Sequence, residues 1–305
     1  MRIVYLGTPD FAVAPLKRLV ELGYDLVAVV TNKDKPVGRK KVLTAPPVKE
    51  YALSKGIPVF QYDKIRLEGV LDMKNLKPDL MITCAFGQIL SQEILDIPRL
   101  GVINIHASLL PQYRGASPIH YAILNGEKKT GVSIMKTDIG IDTGDVCYAS
   151  EVEIGNKETC GDLFSKLSEL GADCIENALP DILSGKAVFN KQDDKKASYS
   201  KIIKKEDALI DWADSAENIY NKIRAFNPAP IAFCYLNELP FKIFQAEIVD
   251  ACGTPGTIIK ADGELVIACG KNAISLKKVQ KAGGNAMNIS DFLRGNKFTA
   301  GEEFV

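Results

Sequence analysis

The chain has 305 residues, 46% hydrophobic and 25% charged, with 38 basic side chains against 38 acidic ones. These are ordinary values for a globular protein of two domains or one large one, and they exclude a collagen-like, disordered or disulfide-scaffold chain. Neutrality also excludes a uniformly basic nucleic-acid coat, though not a local basic patch. The seven cysteines are scattered with no CxxC pair, which reads as reduced thiols in a cytoplasmic protein. With His106 and His120 the only histidines, no metal site is predicted. The run Met1–Leu6 is too short for a signal peptide and is broken by Gly7-Thr8-Pro9-Asp10. No apolar stretch is long enough to span a membrane.

In chain order, Ile3–Leu6 is a short apolar run expected as a strand buried on both faces. A helix follows from about Asp10, with Leu16, Leu19 and Val20 inward, and stops at Gly23. Leu26–Val30, Asp79–Cys84 and Val102–His106 are further strands, and Ser117-Pro118 opens a helix that ends at Gly126. Thr159 caps an amphipathic helix bearing Leu163, Phe164, Leu167 and Leu170. This alternation predicts an α/β domain, a doubly wound, Rossmann-like and mostly parallel sheet, over 1–186. Residues 187–205, with Lys186 just before them, are lysine-rich and read as a basic linker. A helix over Ala216–Phe226 then precedes short period-two strands at Phe233–Leu236, Phe241–Phe244, Pro255–Ile258, Leu265–Ile267 and Ile274–Leu276. They predict a small antiparallel, OB-like β-barrel over 206–305.

Gly7-Thr8-Pro9-Asp10-Phe11 occupies the place of a dinucleotide phosphate loop but lacks G-x-G-x-x-G, and Asp10 would repel a pyrophosphate. A tight strand-to-helix turn is the better reading. The richest stretch runs from Asn104 to Gly115. Asn104 and His106, two apart on a strand, point to one side at its carboxyl end, where open α/β sheets bind ligands. Such a pair is either used or structurally satisfied. The loop Asp138–Asp145 adds three aspartates, any of which could be a solvated turn residue. Taken together, an amide and an imidazole beside a carboxylate can stabilise an oxygen that gains charge. Ser108 lacks a nucleophile elbow. Donors without a nucleophile fit direct transfer of an activated acyl group to an amine.

The run Asn104–Gly115 with Asp142-Thr143-Gly144-Asp145 resembles the formyltransferases that use 10-formyltetrahydrofolate. The whole chain looks like the methionyl-tRNA-directed members of that family, through Gly7–Phe11, Pro36–Arg39, Arg224–Pro228 and Pro255–Ile258 as well. The resemblance implies a catalytic trio of Asn104, His106 and Asp142, needing no metal. It places the folate donor against Phe86, Gly87, Gln88, Ile89 and Leu90 and against Ser108, Leu109, Leu110 and Pro111. It implies initiator methionyl-tRNA as acceptor, with Arg39, and less directly Lys40 and Lys41, meeting the acceptor stem. Residues 33–49 carry six basic side chains against one acidic, in a stretch without regular pattern. The segment 206–305 instead has ten basic against thirteen acidic residues, so either its lysines segregate to one face or the other basic segments do the electrostatic work. Phe233, Tyr235, Phe241 and Phe244 read as core rather than as base-stacking platforms. A formyltransferase for a nucleotide-linked amino sugar shares the trio and is the alternative. A purine-pathway formyltransferase would resemble only the first domain, and a non-catalytic tRNA-binding protein would not need all three catalytic positions filled.

Overall fold

The computed structural model describes residues 1–38 and 40–305, so Arg39 lies outside the described residues. The chain forms two compact units: Met1–Pro118, Lys129–Glu153 and Phe164–Lys201 make the first, and Ile119–Lys128, Ile154–Leu163 and Ile202–Val305 the second.

The chain runs through β1 (Arg2–Gly7), α1 (Val13–Glu21), β2 (Asp25–Thr31), β3 (Lys35–Val37), β4 (Val42–Thr44), α2 (Pro47–Ser54) and β5 (Val59–Gln61). It continues through α3 (Ile65–Glu68), α4 (Val70–Leu76), β6 (Leu80–Cys84), α5 (Gln92–Leu95), β7 (Val102–His106) and β8 (Arg114–Gly115). After α6 (Pro118–Leu124) come β9 (Lys129–Lys136), β10 (Val146–Glu153), α7 (Cys160–Ser184) and β11 (Tyr199–Ser200). A seven-stranded sheet is ordered β10-β9-β7-β6-β1-β2-β5. Its five strands β5 to β7 are parallel, and β9 and β10 add two antiparallel ones at the β7 side. Every residue of β6 and all but the first of β1 are buried, the signature of strands covered on both faces. At Gly7 a Cβ would lie 2.8 Å from that of Ala12, 2.9 Å from the Tyr5 ring and 3.1 Å from the Cys84 carbonyl. The glycine therefore serves close packing at the strand-to-helix turn, as the tight-turn reading expects.

Two stretches differ from the sequence expectation. Residues 35–37 and 42–44, in a stretch expected without regular structure, form a β3–β4 ribbon with Lys35 opposite Thr44 and Val37 opposite Val42. Both strands are exposed throughout, so the half-buried alternation that marks a strand in sequence is absent, and Pro36 sits in a two-stranded ribbon. Residues 187–201, expected as linker, group with the first unit. There β11 pairs in parallel with β8, and Asn190 exchanges two 2.9 Å main-chain bonds with Val146. The pairing is through the backbone, so the lysine-rich side chains give no sign of it.

The second unit contains α8 (Ala216–Ala225), β12 (Phe233–Leu236), β13 (Leu239–Val249), β14 (Ile258–Lys260), β15 (Leu265–Ala268), β16 (Ala273–Lys281), β17 (Met287–Asn288) and α9 (Ile289–Gly295). The strands form an antiparallel sheet ordered β12-β13-β16-β15-β14, with β17 on β16. Asn237 and Glu238 both take positive φ, 50° and 63°, as a two-residue primed hairpin turn requires. The last residues link the two edge strands. Val305 exchanges main-chain bonds with Tyr235 of β12, while Gly301 and Glu302 bond Ile258 of β14. Closing the edges this way curls the sheet toward a barrel. Its core includes Ile219, Phe241, Ile243, Leu265, Leu276, Phe292 and Phe304. Phe233 and Phe241 are buried in it as expected, whereas Tyr235 is 39% exposed. Among the described residues no helix is long and apolar enough to cross a membrane.

Candidate active site

Strands β1 and β6 are neighbours, yet the sheet continues outward from them in opposite directions, to β2 and β5 on one side and β7 on the other. A doubly wound sheet opens a crevice at the carboxyl ends of such a divergence. Those ends are Gly7, Cys84 and His106.

On β7, Asn104 and His106 flank Ile105, so the period of two sends both polar side chains to one face. The hydroxyl of Thr83 on β6 donates to Asn104 Oδ1 at 2.9 Å and to the Ile103 carbonyl at 3.1 Å. With its oxygen accepting, the Asn104 amide is oriented with Nδ2 donating toward Oδ1 of Asp142 at 3.5 Å. His106 is 5% exposed. Its Nε2 donates to the Tyr113 carbonyl at 3.1 Å, which leaves Nδ1 facing Oδ2 of Asp142 at 3.6 Å. Asp142 stands in the left-handed region, φ 52°, and its Oδ2 accepts from the Gly115 amide at 2.8 Å. The trio predicted from sequence thus converges on one carboxylate. Its two outer separations are longer than tight hydrogen bonds.

The other two aspartates of the loop differ from Asp142. Asp138 accepts from the Gly140 amide and the Thr143 hydroxyl, closing the loop on itself, and the Asp145 carbonyl accepts from the Lys136 amide at 2.9 Å. The chemistry around the trio offers no activated nucleophile. Ser108 is fully buried and donates to the Gln112 carbonyl at 2.6 Å, while its own carbonyl accepts from Ser133. Burial pushes the thiols of Cys84, Cys160, Cys174 and Cys269 up to about 12 and that of Cys147 up to about 11, so they stay protonated at neutral pH. Among the described residues no three His, Cys, Asp or Glu side chains form a metal-binding group.

The loop after β6 lines the other side of the divergence. Phe86 and Leu90 are buried in the core with Ile94, while Ile89 is 69% exposed. The Phe86 carbonyl accepts from Asn32 Nδ2 at 3.1 Å, and Gly87 turns the chain at φ 76°. Gln88 is fully engaged within the protein. Its amide donates to Asn32 Oδ1 at 2.7 Å and to the Tyr62 carbonyl at 3.0 Å, and its oxygen accepts from the Ile65 amide at 2.8 Å. After β7, Leu109, Leu110 and Pro111 are half-buried, and the Leu110 amide donates to Ser133 at 3.1 Å.

Of the cations in 33–49, two are locally neutralised. Lys49 lies 2.8 Å from Asp34, which also accepts from Gln61, and Lys33 lies 2.5 Å from Asp63. The hydrogen bond from Lys49, then that from Gln61, hold the Asp34 carboxyl below its usual range. Among the described residues Lys35, Lys40 and Lys41 make no ion pair, and all three are exposed. In the second unit, Arg224 of the Arg-Ala-Phe-Asn-Pro run points inward. It is 8% exposed and donates to the carbonyls of Glu158 at 2.9 Å and Gly155 at 3.3 Å and to Asn221 at 2.6 Å.

The sequence reading missed Thr83, Gln192 and the role of the Tyr113–Gly115 backbone. Arg114 and Gly115 lay inside the quoted run, but nothing local marks Gln192, which meets the Asp142 loop from 50 residues away.

The chain matches the family described as formyl transferase over residues 1–179 and its C-terminal domain over 202–297. It is 47% identical to the methionyl-tRNA formyltransferase of Bacillus subtilis, covering 99% of this chain and 96% of that one. In fold it is similar to an N-formyltransferase from Helicobacter canadensis solved with folinic acid and dTDP-3-aminofucose: TM-score 0.70 at 22% identity, over 92% of this chain and 98% of that one. It is also similar to a methionyl-tRNA formyltransferase from Clostridium thermocellum, with TM-score 0.55 at 22% identity over 82% of this chain and 94% of that one. Both family matches lie in succession along one chain, and the trio sits inside the first; the chain belongs to the formyl transferase family.

Proposed function

We propose that the protein transfers a formyl group from 10-formyltetrahydrofolate to the α-amino group of initiator methionyl-tRNA, giving formylmethionyl-tRNA for translation initiation. The observation that carries this is the 47% identity to a methionyl-tRNA formyltransferase across 99% of the chain. It spans both units, whereas the likeness to the amino-sugar enzyme is one of fold at 22% identity.

The site geometry supports a direct transfer. The acceptor amine attacks the formyl carbon, a C–N bond forms, and the carbonyl electron pair moves to oxygen. Asn104 Nδ2, fixed by Thr83, and the His106 imidazole are the donors for that oxyanion. Asp142 takes the proton of the attacking amine, directly or through water, and the proton reaches the folate nitrogen as the bond to the formyl carbon breaks. The reading holds the folate donor against Phe86–Leu90 and Ser108–Pro111. The exposed Ile89 side chain supports it, being an apolar group left for a flat ring to cover. Arg39, Lys40 and Lys41 meet the acceptor stem, which the exposure of Lys40 and Lys41 supports.

The test is a formyl-transfer assay of the purified protein with 10-formyltetrahydrofolate, offered charged initiator methionyl-tRNA or nucleotide-linked amino sugars. Formyl-methionine on the tRNA is expected, and Asn104→Ala is expected to slow transfer ~10²–10³-fold. His106→Ala removes a donor and the partner of Asp142 together and should abolish it. Transfer only to the sugar would keep the trio and overturn the acceptor.

A further inference from the structure

The strap formed by residues 190–200 reaches the candidate active site through one buried amide. Gln192 is 8% exposed. Its Nε2 donates to the Asp142 carbonyl at 2.8 Å and to the Gly144 carbonyl at 2.7 Å, which uses both amide hydrogens. Its Oε1 accepts from Arg114 Nε at 3.0 Å and Nη2 at 2.9 Å, which holds the amide in that orientation. Arg114 is 1% exposed and reaches on to Asp194 at 2.8 Å. Burial opposes the Arg114 charge, but Asp194 and Tyr199 more than offset it, so the guanidinium holds its proton more firmly than usual. The turn that carries Arg114 touches both other parts of the site: Tyr113 accepts from His106, and Gly115 donates to Asp142. Strand β11 in turn fixes that turn, with the Arg114 amide donating to the Ser198 carbonyl at 2.9 Å.

We infer that Gln192, oriented by Arg114, is a positioning residue for the reaction: it holds Asp142 in its left-handed conformation and thereby sets the distance between the carboxylate and His106. Asp142 occupies a backbone region that non-glycine residues leave readily unless the surroundings hold them there. The main-chain carbonyl at that residue and the one two residues on are the groups that Gln192 holds. A carboxylate displaced by about 1 Å can lose about 10²-fold in rate without any loss of substrate binding. The inference rests on the reading of Asp142 as the carboxylate that serves the transfer.

The discriminating variant is Gln192→Glu in the full chain. It keeps the length and the acceptor for Arg114, so packing and the buried cation remain satisfied. It replaces the two donors to the Asp142 loop with a carboxylate oxygen that repels both carbonyls. Expected are a melting temperature within a few degrees of wild type, a kcat about 10²-fold lower, near-unchanged KM for both substrates, and a displaced limb in the pH–rate profile. Gln192→Met, which removes the amide without adding charge, is the second variant. It is expected to shift the profile in the same direction with a smaller loss of kcat. If either folded variant keeps the wild-type kcat and pH profile, or only melts lower, Gln192 is merely structural and the inference is overturned. A wild-type protein inactive toward every acceptor overturns the functional reading, and the inference with it.

Discussion

Gly115 takes φ 111°, and a Cβ there would stand 2.4 Å from the Ser200 carbonyl. The same residue donates its amide to Asp142 at 2.8 Å. One glycine therefore lets β8 approach β11 and delivers an N–H to the carboxylate, and the two roles cannot be separated by a side chain that needs room. Gly115→Ala is expected to lower kcat about 10²-fold, because either the turn withdraws from β11 or the amide leaves Asp142. The strained backbone adds a stability loss of about 1–3 kcal/mol. Steady-state kinetics beside a thermal melt checks this, and a variant with wild-type kcat would break the link between the turn and the carboxylate. Thr83 acts at the same scale: a neutral hydroxyl gives the Asn104 amide its direction, so that its nitrogen and not its oxygen faces Asp142.

Among the elements, α7 shows how a local signal fixes a boundary. Thr159 and Asp162 bond reciprocally across its first turn. The Thr159 hydroxyl and amide donate to the Asp162 carboxylate at 2.6 and 2.9 Å, and the Asp162 amide donates back at 3.3 Å. The Thr159 hydroxyl, and after it the Thr159 amide, hold the Asp162 carboxyl below its usual value. A carboxyl depressed by folding adds stability above its unfolded value near 4, and that contribution is lost as pH falls through the folded value. Thr159→Ala is expected to cost about 1 kcal/mol at neutral pH, and the gap from wild type to narrow as pH falls through the folded value of Asp162, where wild type loses the same bond. Denaturant melts at two pH values measure it; an equal gap at both would show that the carboxylate takes no part. That helix start and the strand Val102–His106 were legible because each depends on neighbours in sequence. The ribbon of β3 and β4 was not, since neither strand is buried and their pairing leaves no alternation to read. The strap at 190–200 escaped for the opposite reason: it joins the site through backbone groups and one buried glutamine, under a composition that exposed lysines dominate. The trio itself was legible as residues, but the orientation of His106, with Nε2 given to Tyr113 and Nδ1 to the carboxylate, depends on a turn seven residues away.

For the molecule as a whole, the 38 basic and 38 acidic side chains cancel, so any attraction for a polyanion comes from how the charges are distributed. Within residues 206–305 several cations are engaged locally: Lys277 with Glu247 at 3.0 Å, Lys260 with Glu264 at 2.6 Å, and Arg294 with Asp291 at 3.3 Å. At the base of the ribbon, Asp34 and Asp63 likewise occupy Lys49 and Lys33. Lys40 and Lys41, exposed and without an ion pair among the described residues, are open to a partner. A cation set against a phosphate displaces condensed counterions, so each such contact steepens the fall of affinity with salt. Lys40→Ala and Lys41→Ala are each expected to weaken binding of initiator tRNA and to flatten the dependence of log K on log salt concentration by about 1, while leaving the KM for 10-formyltetrahydrofolate unchanged. Titrations at several salt concentrations read the slope directly. An unchanged slope in both variants would move the phosphate-tracking surface away from the ribbon, and the lysines of residues 186–205 would then be the ones to test, since that segment carries the other concentration of positive charge in a neutral chain.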